Sequence, residues 1–518
     1  MKTIVIFPHQ LYALSRREAF FEQHKDARIY CVEEPLFFYD AEIRPFRIHK
    51  LKLAFHRAAL RAYHDELCKK YSKKRVNYIA YDVLTTKDGY KKVFNVPPKS
   101  AKDGQIIITE PHDHNITDKY RKIFGSCLRI QEDDLSFVLT RKDLEVFHKM
   151  HHQKGAHMQQ STFLGFVKKK LDVLVDVNSR DTQNQNPLPK DFKNAPEEKS
   201  LPRFDCPYHK EANAYIEKHP RFTKHYGRIQ ESVWKTIAVT HTQAQTALDS
   251  FIEHRIHSFG KYQDAIHKDY SLLFHSHCAY LLNTGLLCPR DVLERVLAQQ
   301  KRKKVGMNDI EGFVRQLLGW REYMRYIYVF FGPGSDLKAE TQNIFQSDRG
   351  IVKEKAWYAG ELGVSVLDEE IHKVTDHAYA HHIIRLMVFL NFMVLCRVHY
   401  DDIIQWFMEM VAIDAYMWVM WGNIIAMGYF DPRFMRKPYI STTNYLENMT
   451  RGYEISQETK DLWSDLFYSF LVDHKKQIRE HAAFYTRNLS HWDKKTAKEQ
   501  KAIEQKAHVF IDKYTYQK

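Results

Sequence analysis

The chain is 518 residues long and carries 78 lysines and arginines against 64 aspartates and glutamates, a formal charge of +14. That length holds more than one domain, each able to bury a core without staples; the seven cysteines, odd in number and without a CxxC pair, exclude a disulfide framework and a zinc ribbon. The cysteine usage suits a reducing cytoplasm, and the basic excess favours a polyanionic partner such as nucleic acid.

The first residues, MKTIVIFPHQL, reach Pro8 after a short apolar run without a cleavage pattern, so they read as a strand and not as a signal peptide. The runs TIVIF, ARIYCVEE, RVNYIAYD and QIIITEP alternate with helical stretches, the pattern of crossover units around a parallel sheet. Between the second and third, HKLKLAFHRAALRAYHDELCKKY places Leu51, Leu53, Phe55, Ala58, Ala59 and Tyr63 at helical spacing, so this helix should cover one face of the sheet. FPHQLY stands where a dinucleotide fingerprint needs glycines, so any nucleotide is bound elsewhere.

Residues 178–203 are polar and proline-bearing, a linker or a long ordered loop. From about residue 208 the period is helical, and DIEGFVRQLLGWREYMRYIYVFF and DDIIQWFMEMVAIDAYMWVMW are too apolar for surface helices. The expected fold class is an α/β N-terminal domain with a parallel sheet (1–140), a connecting helix and linker (141–207), and a large all-α domain (208–518). No segment spans a membrane, because the most apolar helical run is broken by His381, His382 and Arg385. The tail, KKTAKEQKAIEQKAHVFIDKYTYQK, is a charged helix or a frayed end without chemistry.

The stretch HAYAHHIIRLM (377–387), taken as a helix, puts His377, His381 and Arg385 on one face with His382 on the flank. Core histidines satisfied by carbonyls are the plain reading. His377 and His381 have zinc-ligand spacing, but the glutamate of an HExxH site is missing. A histidine in a dry pocket can instead exchange a proton with a bound ligand, and Arg385 then needs a carboxylate, for which Asp414 is the best candidate. Ser276, Cys278 and Ala279 begin a helix-like run suited to a diphosphate, although a serine there is ordinarily a cap. Glu311, Arg315, Gln316, Trp320 and Arg321 are too many polar groups for a plain core helix. Trp357, Tyr358, Trp406, Phe407, Trp418 and Trp421 pack a core and could together relay electrons. The basic runs at 168–170 and 301–304 are solvated faces unless they border a pocket.

In order, FGKYQDAI, LFHSHCAYLLNTGLL, EGFVRQLLGWREY, AYAHHIIRLMVFLNF, IDAYMWVMWGN and KPYIS resemble the prokaryotic (6-4) photolyase branch of the photolyase/cryptochrome superfamily, also known for bacterial cryptochromes with an iron–sulfur cluster. The resemblance runs over nearly the whole chain. It implies an antenna-type α/β domain and a helical domain holding FAD, with light-driven electron transfer to a (6-4) lesion flipped out of UV-damaged DNA. It places His382 as proton donor, with His381 beside it and Tyr439 facing the lesion. It assigns Tyr262, His275, Ser276, His277, Cys278, Gln316, Trp320, Arg321, Arg385, Asp414 and Asn423 to the cofactor, and Trp406 with Trp357 or Tyr358 to an aromatic electron path. His377 is given no role.

Three departures stand out. Val366 occupies the first of the branch's four cluster cysteines and no cysteine follows Cys396, so no iron–sulfur cluster is expected. PHQL replaces the branch's GDQL, and no GGKW-type segment is recognisable in 178–203, which bears on an antenna chromophore such as 6,7-dimethyl-8-ribityllumazine. Met417 and Met420 stand where some relatives carry acidic residues. A blue-light cryptochrome photoreceptor is the alternative the same pocket allows, and a non-catalytic nucleic-acid-binding protein is the alternative of another class. The chain is expected to act as a cytoplasmic monomer.

Overall fold

The computed structural model describes residues 2–94, 105–133, 135–152, 158–196, 200–302, 304–335, 344–345, 347–352, 356–429, 431–435 and 437–518. Residues 197–199 of the polar segment and Lys303 of the 301–304 run lie outside them.

Five parallel strands open the fold: β1 (Thr3–Ile6), β2 (Arg28–Val32), β3 (Val76–Ile79), β4 (Ile106–Thr109) and β5 (Leu128–Gln131), in the order β3-β2-β1-β4-β5. Four of them are the β-branched runs picked out from the sequence. The fifth, LRIQ, is a half-buried edge strand whose alternation spans only four residues, too little to stand out. TIVI and IIIT are buried throughout, as central parallel strands covered on both faces must be.

Helix α1 (Leu14–Gln23) follows β1, and α2 (Lys50–Tyr71) follows β2, burying Leu51, Leu53, Phe55, Ala58, Ala59 and Tyr63 as its spacing predicts. Helix α2 also ties the sheet layer to the helical part of the chain. His49 caps it by accepting from the Leu51 amide at 3.1 Å, and its Nε2 lies 2.9 Å from the Thr375 carbonyl. One turn on, the buried Lys52 ammonium donates to the Ala415 carbonyl and lies 4.1 Å from the Tyr416 ring centroid. Another turn on, His56 Nε2 is 3.0 Å from the Tyr416 hydroxyl. Two residues of one helix face, Lys52 and His56, therefore pin residues 415 and 416, while His49 at its start holds Thr375. A second clamp follows β5, where buried Glu322 accepts from the amides of Val138 and Leu139 at 2.9 and 3.2 Å, and Arg325 Nη1 donates to the Leu139 carbonyl at 2.7 Å.

Of the two readings of 178–203, the ordered loop is the observed one. Asn184 is buried with its amide nitrogen 3.2 Å from the Asn308 carbonyl, Arg451 Nε donates to the Leu188 carbonyl at 2.9 Å, and Leu188 and Ala195 pack with Leu273 and Phe274. The tail is a helix, Ala497–Tyr514, started by a capping box between Thr496 and Glu499. Beyond the five-stranded sheet, the short strands β6 (Ile266–His267) and β8 (Thr450–Arg451) pair in parallel. The tail ends in β9 (Thr515–Gln517), antiparallel to β7 (Arg349–Ile351), so it is anchored and not frayed. No described helix is long and apolar enough to cross a membrane.

Candidate functional site

The structure corrects one local expectation at the centre of the site. Residues 377–387 are not one helix. Helix Ser365–His377 stops at Ala378, whose left-handed backbone (φ 52°) turns the chain, and the Ala378 carbonyl accepts from the Ile413 amide at 3.0 Å. Helical structure resumes at His382. Arg385 reaches back across the break, its Nε donating to the Ala380 carbonyl at 2.6 Å and its Nη2 to Asp414 Oδ1 at 2.7 Å. His377 and His381 consequently part: His377 Nδ1 lies 2.9 Å from the Ser271 hydroxyl, whereas His381 stacks on His275 with ring centroids 4.3 Å apart. A zinc pair cannot form from them, and among the described residues no group of three or more histidines, cysteines or carboxylates is placed to hold a metal ion.

The break frames a cavity of about 700 Å³ in the helical part, within the size range of ligand sites. Of the residues expected at the site it gathers His275, Ser276, His277, Cys278, Gln316, Trp320, Arg321, His382, Arg385, Asp414, Asn423 and Tyr439. Two lie elsewhere. His381 is buried behind the wall, and Tyr262 stacks on Phe274 with centroids 5.3 Å apart. Three π-helical segments, Arg315–Arg321, Ile384–Leu390 and Ile424–Gly428, all contribute lining residues. Their wider turns swing Arg315, Gln316, Trp320, Arg321 and Arg385 toward the cavity, a frequent device at functional sites that no residue spacing announces.

Electrostatically the cavity is a place for neutral histidines and fixed cations. Burial is the main cause that lowers His275 to about 4 and His277 to about 3, with nearby arginines adding to it. His382 is lowered to about 3 by burial and then by Arg385 and His275. Its ring meets Trp320 edge to face at 5.0 Å. Arg321 is held to about 10 by burial; its Nε and Nη1 make no hydrogen bond, and neither does Gln263 Oε1. Buried polar atoms of this kind, lining a cavity, need a polar ligand or solvent to satisfy them.

The aromatic set divides. Phe407 lines the cavity, and the neighbouring Trp406, its ring 5.3 Å away, is fully buried with Nε1 donating to the Trp357 carbonyl at 2.8 Å. Trp357 is sealed by donating to the Tyr514 carbonyl, whereas Tyr358 stacks on the partly exposed Tyr226 at 4.3 Å and donates to Glu409 Oε2 at 2.6 Å. Of the basic run 168–170, Lys168 donates to the Val177 carbonyl and Lys170 pairs with Asp143, so two of its three charges serve local structure.

Residues not expected at the site also line it. Gln263 and Asp264 belong to the FGKYQDAI block and could have been found there. Asn283 is held between two cavity residues, donating to the Asp414 carbonyl at 2.9 Å and accepting from Arg321 Nη2 at 3.2 Å. Gln185 comes from the polar loop, and Lys437 and Phe484 from segments far apart in sequence, with no signal beforehand.

Comparisons with known proteins bear on the chain's relatives and its fold. A family model described as "Deoxyribodipyrimidine photo-lyase-related protein" matches residues 4–234. A (6-4) photolyase of Agrobacterium fabrum is 32% identical over 268 residues, covering 50% of this chain and 51% of that protein, so the chain spans about half the length of that relative. Uncharacterized protein R855 of Acanthamoeba polyphaga mimivirus is 32% identical over 120 residues, 22% of this chain and 90% of that protein. In structure the chain is similar to a bacterial class III photolyase from Agrobacterium tumefaciens (TM-score 0.53, 15% identity, 99% and 98% of the two chains). It is also similar to a Synechocystis cryptochrome (TM-score 0.54, 12% identity, 99% and 98%).

Proposed function

We propose that the chain is a member of the photolyase/cryptochrome superfamily and, within it, an FAD-dependent DNA repair enzyme that uses light to reverse (6-4) pyrimidine–pyrimidone photoproducts. The observation that carries this reading is the meeting, in one cavity, of His382, the Arg385–Asp414 pair and the unsatisfied donors of Arg321.

The residues fit the cofactor. Arg385 and Asp414, with side chains 14% and 6% exposed, form a buried ion pair facing the cavity, suited to a ring system that accepts and returns negative charge. Asn423, Gln316 and Arg321 offer polar groups on the facing helices, while Ser276, His277 and Cys278 offer a short polar segment for a diphosphate. When bound, FAD supplies the light-excited electron donor. Asp414 is kept in place from behind by the contacts of Lys52 and His56 with residues 415 and 416, so the α/β layer orients the ion pair. His382 delivers a proton from its ring to the lesion and takes it back as the migrated group returns. Tyr439 borders the lesion side. The route from Phe407 through Trp406 toward Tyr358 and Tyr226 leads from cavity wall to surface, and Glu409 accepts the hydrogen bond of Tyr358. We take Tyr358, not the sealed Trp357, as the outer member.

Open α/β sheets bind ligands at a switch point, which here lies between β1 and β4. His9 bonds the Pro111 carbonyl at 2.9 Å and packs on Phe37 with centroids 4.6 Å apart, next to Tyr416. The protein purified from cells is expected to be coloured, with flavin absorption in the visible and stoichiometric FAD on acid release. A colourless protein that takes up no added FAD would contradict the assignment and leave only nucleic-acid binding.

A further inference from the structure

Phe484 is the most exposed large apolar side chain among the described residues, at 65%, and it stands at the rim of the cavity. An aromatic ring in water contributes nothing to folding, yet its mount is rigid. Tyr485, beside it and 5% exposed, directs its hydroxyl to the carbonyls of Pro438 and Ile440 at 2.9 and 2.5 Å. This ties the rim segment 437–440, which carries Tyr439, to the turn Ala483–Tyr485. Across the ring lies the exposed Lys437, its ammonium 4.9 Å from the centroid. A flat apolar ring, a cation on its flank and a cavity behind them thus form one fixed unit in a chain of charge +14.

We propose that Phe484 is a wedge for duplex DNA: it enters the base stack and fills the gap left when a nucleotide swings into the cavity, while Lys437 meets a backbone phosphate. The inference rests on the repair reading and adds to it that the substrate is double-stranded. Extracting a base from a duplex breaks stacking and pairing, and apolar side chains inserted between base steps recover part of that loss. A single strand leaves no such gap. A wedge therefore raises affinity for a lesion in duplex and leaves affinity for the same lesion in a single strand nearly unchanged, which a general contact cannot do.

The test measures binding of wild type, F484A and F484W to a duplex carrying one (6-4) photoproduct, to the damaged strand alone and to intact duplex, with 2-aminopurine opposite the lesion as reporter. F484A is expected to lose about tenfold in affinity for damaged duplex, to stay within about twofold on the damaged strand, and to lose the reporter's brightening, all of which F484W retains. Equal weakening on duplex and strand, or no weakening on either, overturns the wedge. If wild type does not prefer damaged over intact duplex, the repair reading falls and the wedge with it. If wild type shows that preference and F484A keeps it in full, the wedge alone falls.

Discussion

Replacing His382 by alanine is expected to lower the rate of (6-4) repair by about 10²- to 10³-fold, the usual contribution of a positioned proton donor, while FAD stays bound. The variant removes one ring that faces the cavity and leaves the Arg385–Asp414 pair and the Arg321 donors in place, so cofactor absorption should match wild type. His382 is held neutral, lowered to about 3 by burial, Arg385 and His275. A neutral ring cannot donate an acidic proton, so the donor form arises only in the complex, where the negative charge of the DNA and cofactor raises the pKa of His382. Donation requires the protonated ring, so wild-type repair should fall as pH rises through that raised value, and the residual repair of His382→Ala should lack this limb. Equal repair by wild type and His382→Ala would remove His382 from the mechanism.

The second large effect is on stability. Burial as the leading cause lowers eight histidines, His9, His49, His225, His275, His277 and His382 to values between about 3 and about 4, and His56 and His381 well below their ordinary value. Each is neutral when folded and protonates near pH 6.5 when unfolded. Below that pH the unfolded state binds more protons, so the contribution of each is complete above about pH 6.5 and is lost as pH falls toward the folded value. By pH 5.5 each costs about 1 kcal/mol relative to pH 7, and the set together approaches the roughly 5–15 kcal/mol that holds a domain folded. Most carboxylates, titrating near pH 4, are still ionised there. Circular dichroism melts of the flavin-free protein should show the melting temperature falling steeply between pH 7 and 5.5. A melting temperature unchanged over that interval would contradict the neutral burial of these rings.

What the residues disclosed beforehand follows from the range of the forces involved. The four strand runs and α2 were legible because burial on both faces of a parallel sheet and on one helix face writes a local period. The ion pair of Arg385 with Asp414 was legible because a buried guanidinium needs a carboxylate. The break at Ala378 was not. Alanine favours helices, and its left-handed turn is imposed by the Ile413 amide and by Arg385 reaching back to the Ala380 carbonyl, contacts made only in the folded chain. For the same reason His381, adjacent in sequence to His382, turned out to be behind the cavity wall. The π-helical turns and the rim formed by Lys437 and Phe484 are likewise products of tertiary packing, in which Tyr485 joins segments far apart in the chain.

The central claim meets its most direct test in one illumination experiment. Protein loaded with FAD and reduced in the dark is mixed with a duplex bearing a single (6-4) photoproduct and exposed to blue or near-ultraviolet light, with a duplex bearing a cyclobutane dimer as control. Light-dependent return of the normal pyrimidines from the (6-4) duplex, and not from the control, is the predicted result. Absence of restoration by protein that holds reduced FAD and binds the damaged duplex would contradict it.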